Sequence, residues 1–191
     1  MPELRATITV SKLDAARRQL STAIELWFQN KDDVSIHALA YAAYEVIHTI
    51  SKKKGREQAL LFDAAAIPDQ FRKVFAAHVK KGPNFFKHAD HDPNGVLEFP
   101  PVVSEIFFVF SIMGLKSMGV PENDYESAFL WWFHLNRPDL LTQKGRELFT
   151  KVAPVDALNE VRSWPKNQFL DVFLQAKSLG SHIAASGYNQ I

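Results

Sequence analysis

Residues 11–54 read SKLDAARRQLSTAIELWFQNKDDVSIHALAYAAYEVIHTISKKK, and this stretch decides the fold. Within Ser11–Asn30 the apolar positions Leu13, Ala16, Leu20, Ala23, Ile24 and Phe28 recur at three and four residues. That is the period of a helix with one buried stripe. Ser11 stands where such a helix needs an N-cap, and Asp14 three residues on makes an acidic variant of the capping box. Asn30-Lys31-Asp32-Asp33 forms the turn. A second helix follows from Asp33 to Lys54, stopped by Gly55. Two long helices joined by so short a turn predict an antiparallel, up-and-down start to a bundle.

The same punctuation continues downstream. Pro68 at a start and Gly82 past an end bracket a third helix, Pro68–Lys81. Pro100-Pro101 opens the most apolar helix, Val102–Met118, which is apolar on nearly all sides and is expected to be central. Pro121 starts a helix through Leu135, ended by Arg137-Pro138, and another spans Asp139–Val152. Pro154 restarts the chain, Pro165 breaks it, and a last helix covers Lys166–Leu179 before Gly180. Thr7–Val10 and Val96–Phe99 have strand-like composition and could pair as a ribbon. The prediction is an all-α bundle of six to seven helices with at most a minimal two-stranded β-ribbon. It forms one domain over residues 1–180, with 181–191 as a loose tail.

Composition excludes several classes. Net charge is +1, with 14 Lys/Arg against 12 Asp/Glu in the first hundred residues and 8 against 9 in the rest, so no global field advertises nucleic acid or an anionic membrane. There is no Cys, which removes disulfides, thiolate nucleophiles and Cys-based zinc sites and fits a reducing cytoplasm. Apolar runs such as Ile106–Phe110 are far too short to span a bilayer, so a cytoplasmic protein without a membrane partner is expected. No Walker-type loop, Gly-x-Gly-x-x-Gly or Gly-x-Ser-x-Gly is present.

Polar chemistry concentrates in two places. Residues 81–95, KGPNFFKHADHDPNG, gather His88, His91, Asp90 and Asp92 with Lys81, Lys87, Asn84 and the Phe85-Phe86 pair. On the second helix His37, Tyr41, Glu45 and His48 fall at i, i+4, i+8 and i+11, a stripe beside the core face. If the two clusters meet, His37, Tyr41, Glu45, His48, His91 and Asp92 line one binding pocket. Within it His88 could pass protons, Asp90 fix its tautomer, Lys87 neutralise a phosphate, and Asn84 both donate and accept. The competing structural reading has His88 and Asn84 tying down a bend, with Asp90 and Asp92 capping the segment after it. Glu45-x-x-His48 also has the spacing of di-iron bundles. Glu105, Glu126 and Glu147 are not followed by His at three, so that template is half filled and no metal or other cofactor is assigned.

Asn84-Phe85-Phe86-Lys87-His88-Ala89-Asp90 with Asp92-Pro93, preceded by Ser35-Ile36-His37, resembles a group of small bacterial proteins of unassigned function. The layout is also similar to HEPN domains, helical bundles that often dimerise. Many of those are RNases with an Arg-x(4–6)-His motif, and others are inactive binding or toxin–antitoxin modules. Here Lys81 stands six residues clear of His88 where that family has Arg. Arg72-x5-His78 fits the motif literally, but about one such match is expected by chance in this composition.

Three functions are expected on these grounds. The first is a non-catalytic interaction or regulatory protein, HEPN-like and homodimeric, with a possible protein partner. The second is an RNA- or nucleotide-acting enzyme using His88. The third is a metal-dependent enzyme at Glu45, His48 and His88. Trp131-Trp132 adds that one of two successive Trp must face something other than the core its neighbour faces.

Overall fold

The computed structural model describes residues 7–55, 69–88, 90, 92–140, 143 and 155–188. These residues are all-α. Seven α-helices run in order: α1 Lys12–Phe28, α2 Asp33–Lys53, α3 Asp69–Lys87, α4 Val103–Ser117, α5 Asp124–Asn136, α6 Val155–Arg162 and α7 Lys166–Tyr188. A single 3-10 turn covers Pro138–Leu140. Among the described residues there is no strand. The two candidate strands, Thr7–Val10 and Val96–Phe99, are coil, and Ile8 and Val96 are exposed. A run of four β-formers without a laddered neighbour has nothing to satisfy its backbone groups.

Helix ends follow local chemistry. The Ser11 hydroxyl accepts from the Asp14 amide at 3.1 Å and donates to the Asp14 carboxylate at 2.6 Å. That hydrogen bond leads the causes that hold the Asp14 carboxyl below its usual pKa. α1 closes with Asn30 at φ 50°, while Lys31 N–H reaches Leu26 C=O at 3.0 Å. This is the left-handed C-terminal motif that Asn tolerates. Gly119 does the same for α4 at φ 78°, with Val120 N–H on Leu115 C=O.

Four features differ from expectation. α3 does not stop at Lys81 but runs through Gly82 and Pro83 to Lys87. Pro83 withholds one N–H from the ladder, and that is a kink-level cost that packing can offset. α5 starts at Asp124, not Pro121, because Asn123 and Glu126 form a full capping box, each side chain accepting the other's amide at 2.9 Å. The Pro121 carbonyl instead accepts from Arg17 Nη2 at 2.6 Å. α7 continues past Leu179 and Gly180 to Tyr188. α4 is not sealed all round: Phe107, Phe108, Ile112 and Leu115 are buried while Ile106 and Met113 are exposed. The expected helix Asp139–Val152 lies almost wholly outside the described residues.

The chain partitions into two compact units. One comprises residues up to Ala23 and Asp33–Pro121; the other comprises Ile24–Asp32 and Glu122 onward. In the first unit α2 and α4 pack along their lengths. They run parallel, since Ser104 pairs with His37 near both starts and Ser117 lies 3.5 Å from Ser51 near both ends. α3 is the crossover between them. Its C-terminal half meets the first turns of α2, where Phe86 faces His37 and Lys87 lies over Tyr41. Phe107 is the hub, with its ring 5.4 Å from each of His37, Tyr41 and Tyr44.

In the second unit Trp27 is the hub. Its ring meets Phe129 at 5.3 Å and Trp132 at 4.6 Å, both edge-on, and the Lys166 ammonium sits 3.8 Å from its centroid. Phe28 stacks on Phe169 at 6.3 Å. Arg162 of α6 donates to the Leu135 carbonyl at 2.8 Å, satisfying the last turn of α5. The Trp pair divides as helix geometry requires, with Trp132 inward on Trp27 and Trp131 exposed.

Gly119 tests the capping argument alone, because a Cβ there would meet nothing within 4 Å. Gly119→Ala should lower stability by about 1 kcal/mol in denaturant unfolding through its left-handed backbone.

Candidate functional site

His37 enters the first unit from the second turn of α2, beside the core positions Ile36 and Ala40. It is 1% exposed. Its Nδ1 lies 3.0 Å from Ser104 Oγ on the first turn of α4. Phe99 at 4.8 Å, Phe107 at 5.4 Å and Phe86 at 5.9 Å enclose the ring, the last edge-on. On the remaining side stands Gly82 of α3, where an added Cβ would fall 3.0 Å from Nε2 and 3.4 Å from Cδ2. Among the described residues no donor or acceptor reaches Nε2. Burial pushes the imidazole pKa down to about 4, so the ring is neutral at physiological pH.

A hollow of about 140 Å³ opens beside this ring, lined chiefly by His37, Val79, Gly82, Leu97, Phe99 and Val103. Lys81 and Glu98, both exposed, also border it. Among the described residues its wall is therefore chiefly apolar, with the His37 imidazole as its one aromatic nitrogen-bearing side chain and Lys81 and Glu98 at the border.

The residues singled out from sequence sort into three groups. His37, Tyr41 and Lys87 come together: the Lys87 ammonium lies 5.2 Å from the Tyr41 ring centroid, one turn beyond His37. Glu45 joins through Tyr41, whose hydroxyl donates to its carboxylate at 3.1 Å. Burial first and the Glu45 charge second raise the Tyr41 phenol well above its ordinary pKa. His48 belongs to another neighbourhood, its ring 5.6 Å from Tyr44. Among the described residues, Tyr41, Glu45 and His48 do not line the hollow.

Asn84, His88, Asp90 and Asp92 are exposed. His88 is the first residue past α3, its amide donating to the Asn84 carbonyl at 3.1 Å. The Asp92 carbonyl accepts from Gly95 N–H at 2.9 Å, closing the Asp-Pro-Asn-Gly turn. A Cβ on Gly95 would come within 2.6 Å of the exposed Asp92 carboxylate, which would turn aside, and 3.1 Å from the Asp92 carbonyl oxygen. His91 lies outside the described residues. Among the described residues no group of three His, Asp or Glu side chains could hold a metal ion.

Sequence reasoning missed Ser104, Gly82, Phe99 and Phe107. Two signals were available. Ser104 is a polar residue opening a strongly apolar helix, and a buried hydroxyl needs a partner. A glycine inside a helix often marks a close approach by another group.

The fold thus defines an all-α protein with a caged histidine in its first unit. No protein-family model, curated protein or solved structure matches the chain. No helix among the described residues is long and apolar enough to cross a membrane.

Two predictions test the cage. The unfolded chain has a histidine of ordinary pKa, 6.5, while the folded ring protonates only near pH 4. Between those values the unfolded state binds the extra proton, so this contribution to stability is complete above pH 6.5 and is lost as pH falls towards 4. Wild type should lose about 2 kcal/mol more than His37→Gln between pH 7 and 4.5, read from denaturation midpoints. Gly82→Ala should also destabilise. Ala is the better helix former by about 1 kcal/mol, but its Cβ would press on a ring that Ser104 and three Phe hold in place.

Proposed function

We propose that this chain is a non-catalytic interaction or regulatory protein that works as a homodimer. The observation that carries the reading is an apolar stripe on α4. Val102, Ile106 and Met113, at i, i+4 and i+11, fall within one narrow helical face and are 47%, 38% and 40% exposed. Half-buried Val109 and Phe110 flank them. Single exposed apolar residues are ordinary, but an aligned set along three turns is what a partner surface offers. Self-association also agrees with the HEPN resemblance, since HEPN domains often dimerise and some are inactive binding modules.

The histidines support binding over turnover. His37 is neutral, anchored and walled by rings, so it is a weak proton acceptor near neutral pH. His88 stands at the C-terminal end of α3, the negative pole of the helix, where a phosphate gains nothing from the dipole. The Lys87 ammonium lies over the Tyr41 ring, and Asn84 meets His88 through a helical backbone hydrogen bond.

Light scattering at micromolar concentration should return a dimer, and Met113→Glu with Ile106→Glu should return a monomer of unchanged helical content. A wild-type monomer overturns the reading. Turnover of RNA or a nucleotide that His88→Ala abolishes would replace it with acid–base catalysis.

A further inference from the structure

The hollow beside His37 has the attributes of a ligand site rather than a packing defect. A defect in a helical core is lined by carbon, whereas this one has an imidazole nitrogen in its wall. That nitrogen belongs to a side chain 99% withdrawn from solvent, since His37 is 1% exposed. Among the described residues its only hydrogen bond is made by Nδ1 to Ser104, so a molecule entering the hollow meets Nε2 as an open hydrogen-bonding edge. Gly82 keeps the approach open, because any side chain at position 82 would stand directly before Nε2.

We infer that the hollow binds a small neutral molecule of one-ring size bearing a hydroxyl group, which bonds to His37 Nε2. Size comes from the volume: about 140 Å³ is close to the cavity of about 150 Å³ that accepts a benzene ring. Shape comes from the walls, where the flat Phe99 and the branched Val79, Leu97 and Val103 favour a compact body over a chain. Neutrality comes from the border. Of the described residues at the border, Lys81 would attract a carboxylate that Glu98 repels, and an ammonium meets the reverse, so this pair favours neither charge.

The hydroxyl comes from the Ser104–His37 pair. The serine hydroxyl can turn either way, donating to Nδ1 or accepting its proton, and Nε2 becomes donor or acceptor in response. A hydroxyl ligand bonds with either tautomer, whereas a carbonyl or an ether suits only one.

The inference rests on the reading of this chain as a binding protein, and its test is independent of dimerisation and turnover. Full-length protein with labelled histidine is titrated with phenol, cyclohexanol, benzene, benzoate and benzylammonium, following the His37 ring resonances. Phenol and cyclohexanol should shift them saturably, with benzene, benzoate and benzylammonium at least tenfold weaker. Leu97→Trp, at a half-buried coil position, should fill the hollow and abolish binding with helical content intact. His37→Phe, with binding followed by calorimetry, should erase the preference for phenol over benzene. Equal binding of benzene and phenol, tighter binding of either ion, or unaffected binding in Leu97→Trp overturns the inference. A monomeric wild type that still binds phenol leaves the ligand site standing and removes only the dimer reading.

Discussion

A neutral imidazole held out of water at the start of α2 constrains most of the first unit. A buried polar ring is stable only if one nitrogen is bonded and the charged form is suppressed. Ser104 supplies the bond at 3.0 Å, and burial brings the pKa to about 4. Each further requirement lands on a different element. α4 must begin next to α2, and so the two helices run parallel with α3 as the crossover. α3 must present a glycine to the ring, and so Gly82 lies inside a helix where it lowers intrinsic stability by about 1 kcal/mol. The coil before α4 must place Phe99 over the ring, so residues of strand-like composition are held as coil.

The all-α class and most helix ends were legible because they depend on local chemistry. Ser11 with Asp14, Asn30, Gly55, Gly119, Arg137-Pro138 and Pro165 each act within a turn of their own position, and such signals survive any tertiary arrangement. Where the reading failed, a distant partner had decided. Gly82-Pro83 reads as a stop by every local rule, yet α3 passes through both because Phe86, beyond them, is packed on His37 and Phe99. Pro121 reads as a helix start, but the Asn123–Glu126 box satisfies the first amides better three residues later. The apolar run of α4 suggested burial on all sides, whereas composition alone cannot say which face meets α2.

The site was half legible. The His37, Tyr41, Glu45 and His48 stripe is real as an angular alignment, and His37 and Tyr41 do meet the end of α3. A shared face is not a shared site, however. Eleven residues separate His37 from His48, which at 1.5 Å per residue is about 16 Å along the axis. His48 therefore keeps company with Tyr44 while His37 faces Ser104. The His88 cluster drew attention because its letters are dense, but density in a turn reflects backbone geometry as readily as chemistry. The Asp-Pro-Asn-Gly turn shows this, since it is closed by the backbone hydrogen bond from Gly95 to Asp92. His37 was visible as a member of the α2 stripe, but its partner Ser104 lies 67 residues away on α4, where no local pattern could point to it.

Where space remains depends on side-chain volume along the α2–α4 pair. Midway and towards the far end small buried side chains, Ala40, Ala43 and Ser51 on α2 and Ser111 and Gly114 on α4, alternate with large ones, Tyr44, Ile47, Phe108, Ile112 and Leu115, that fill the space beside them. Small side chains let two helices close on each other and leave little room between them. Near the start the buried groups are rings, and His37 is inclined by 56° to Phe99 and by 55° to Phe107. Inclined planar groups cannot fill the angle between them as interdigitated aliphatic chains can. A hollow is therefore a consequence of building this end from rings, and the imidazole among them gives it a polar wall. Replacing His37 by Phe would keep a ring at this end and remove the polarity, so the imidazole sets the hydrogen-bonding edge rather than the space.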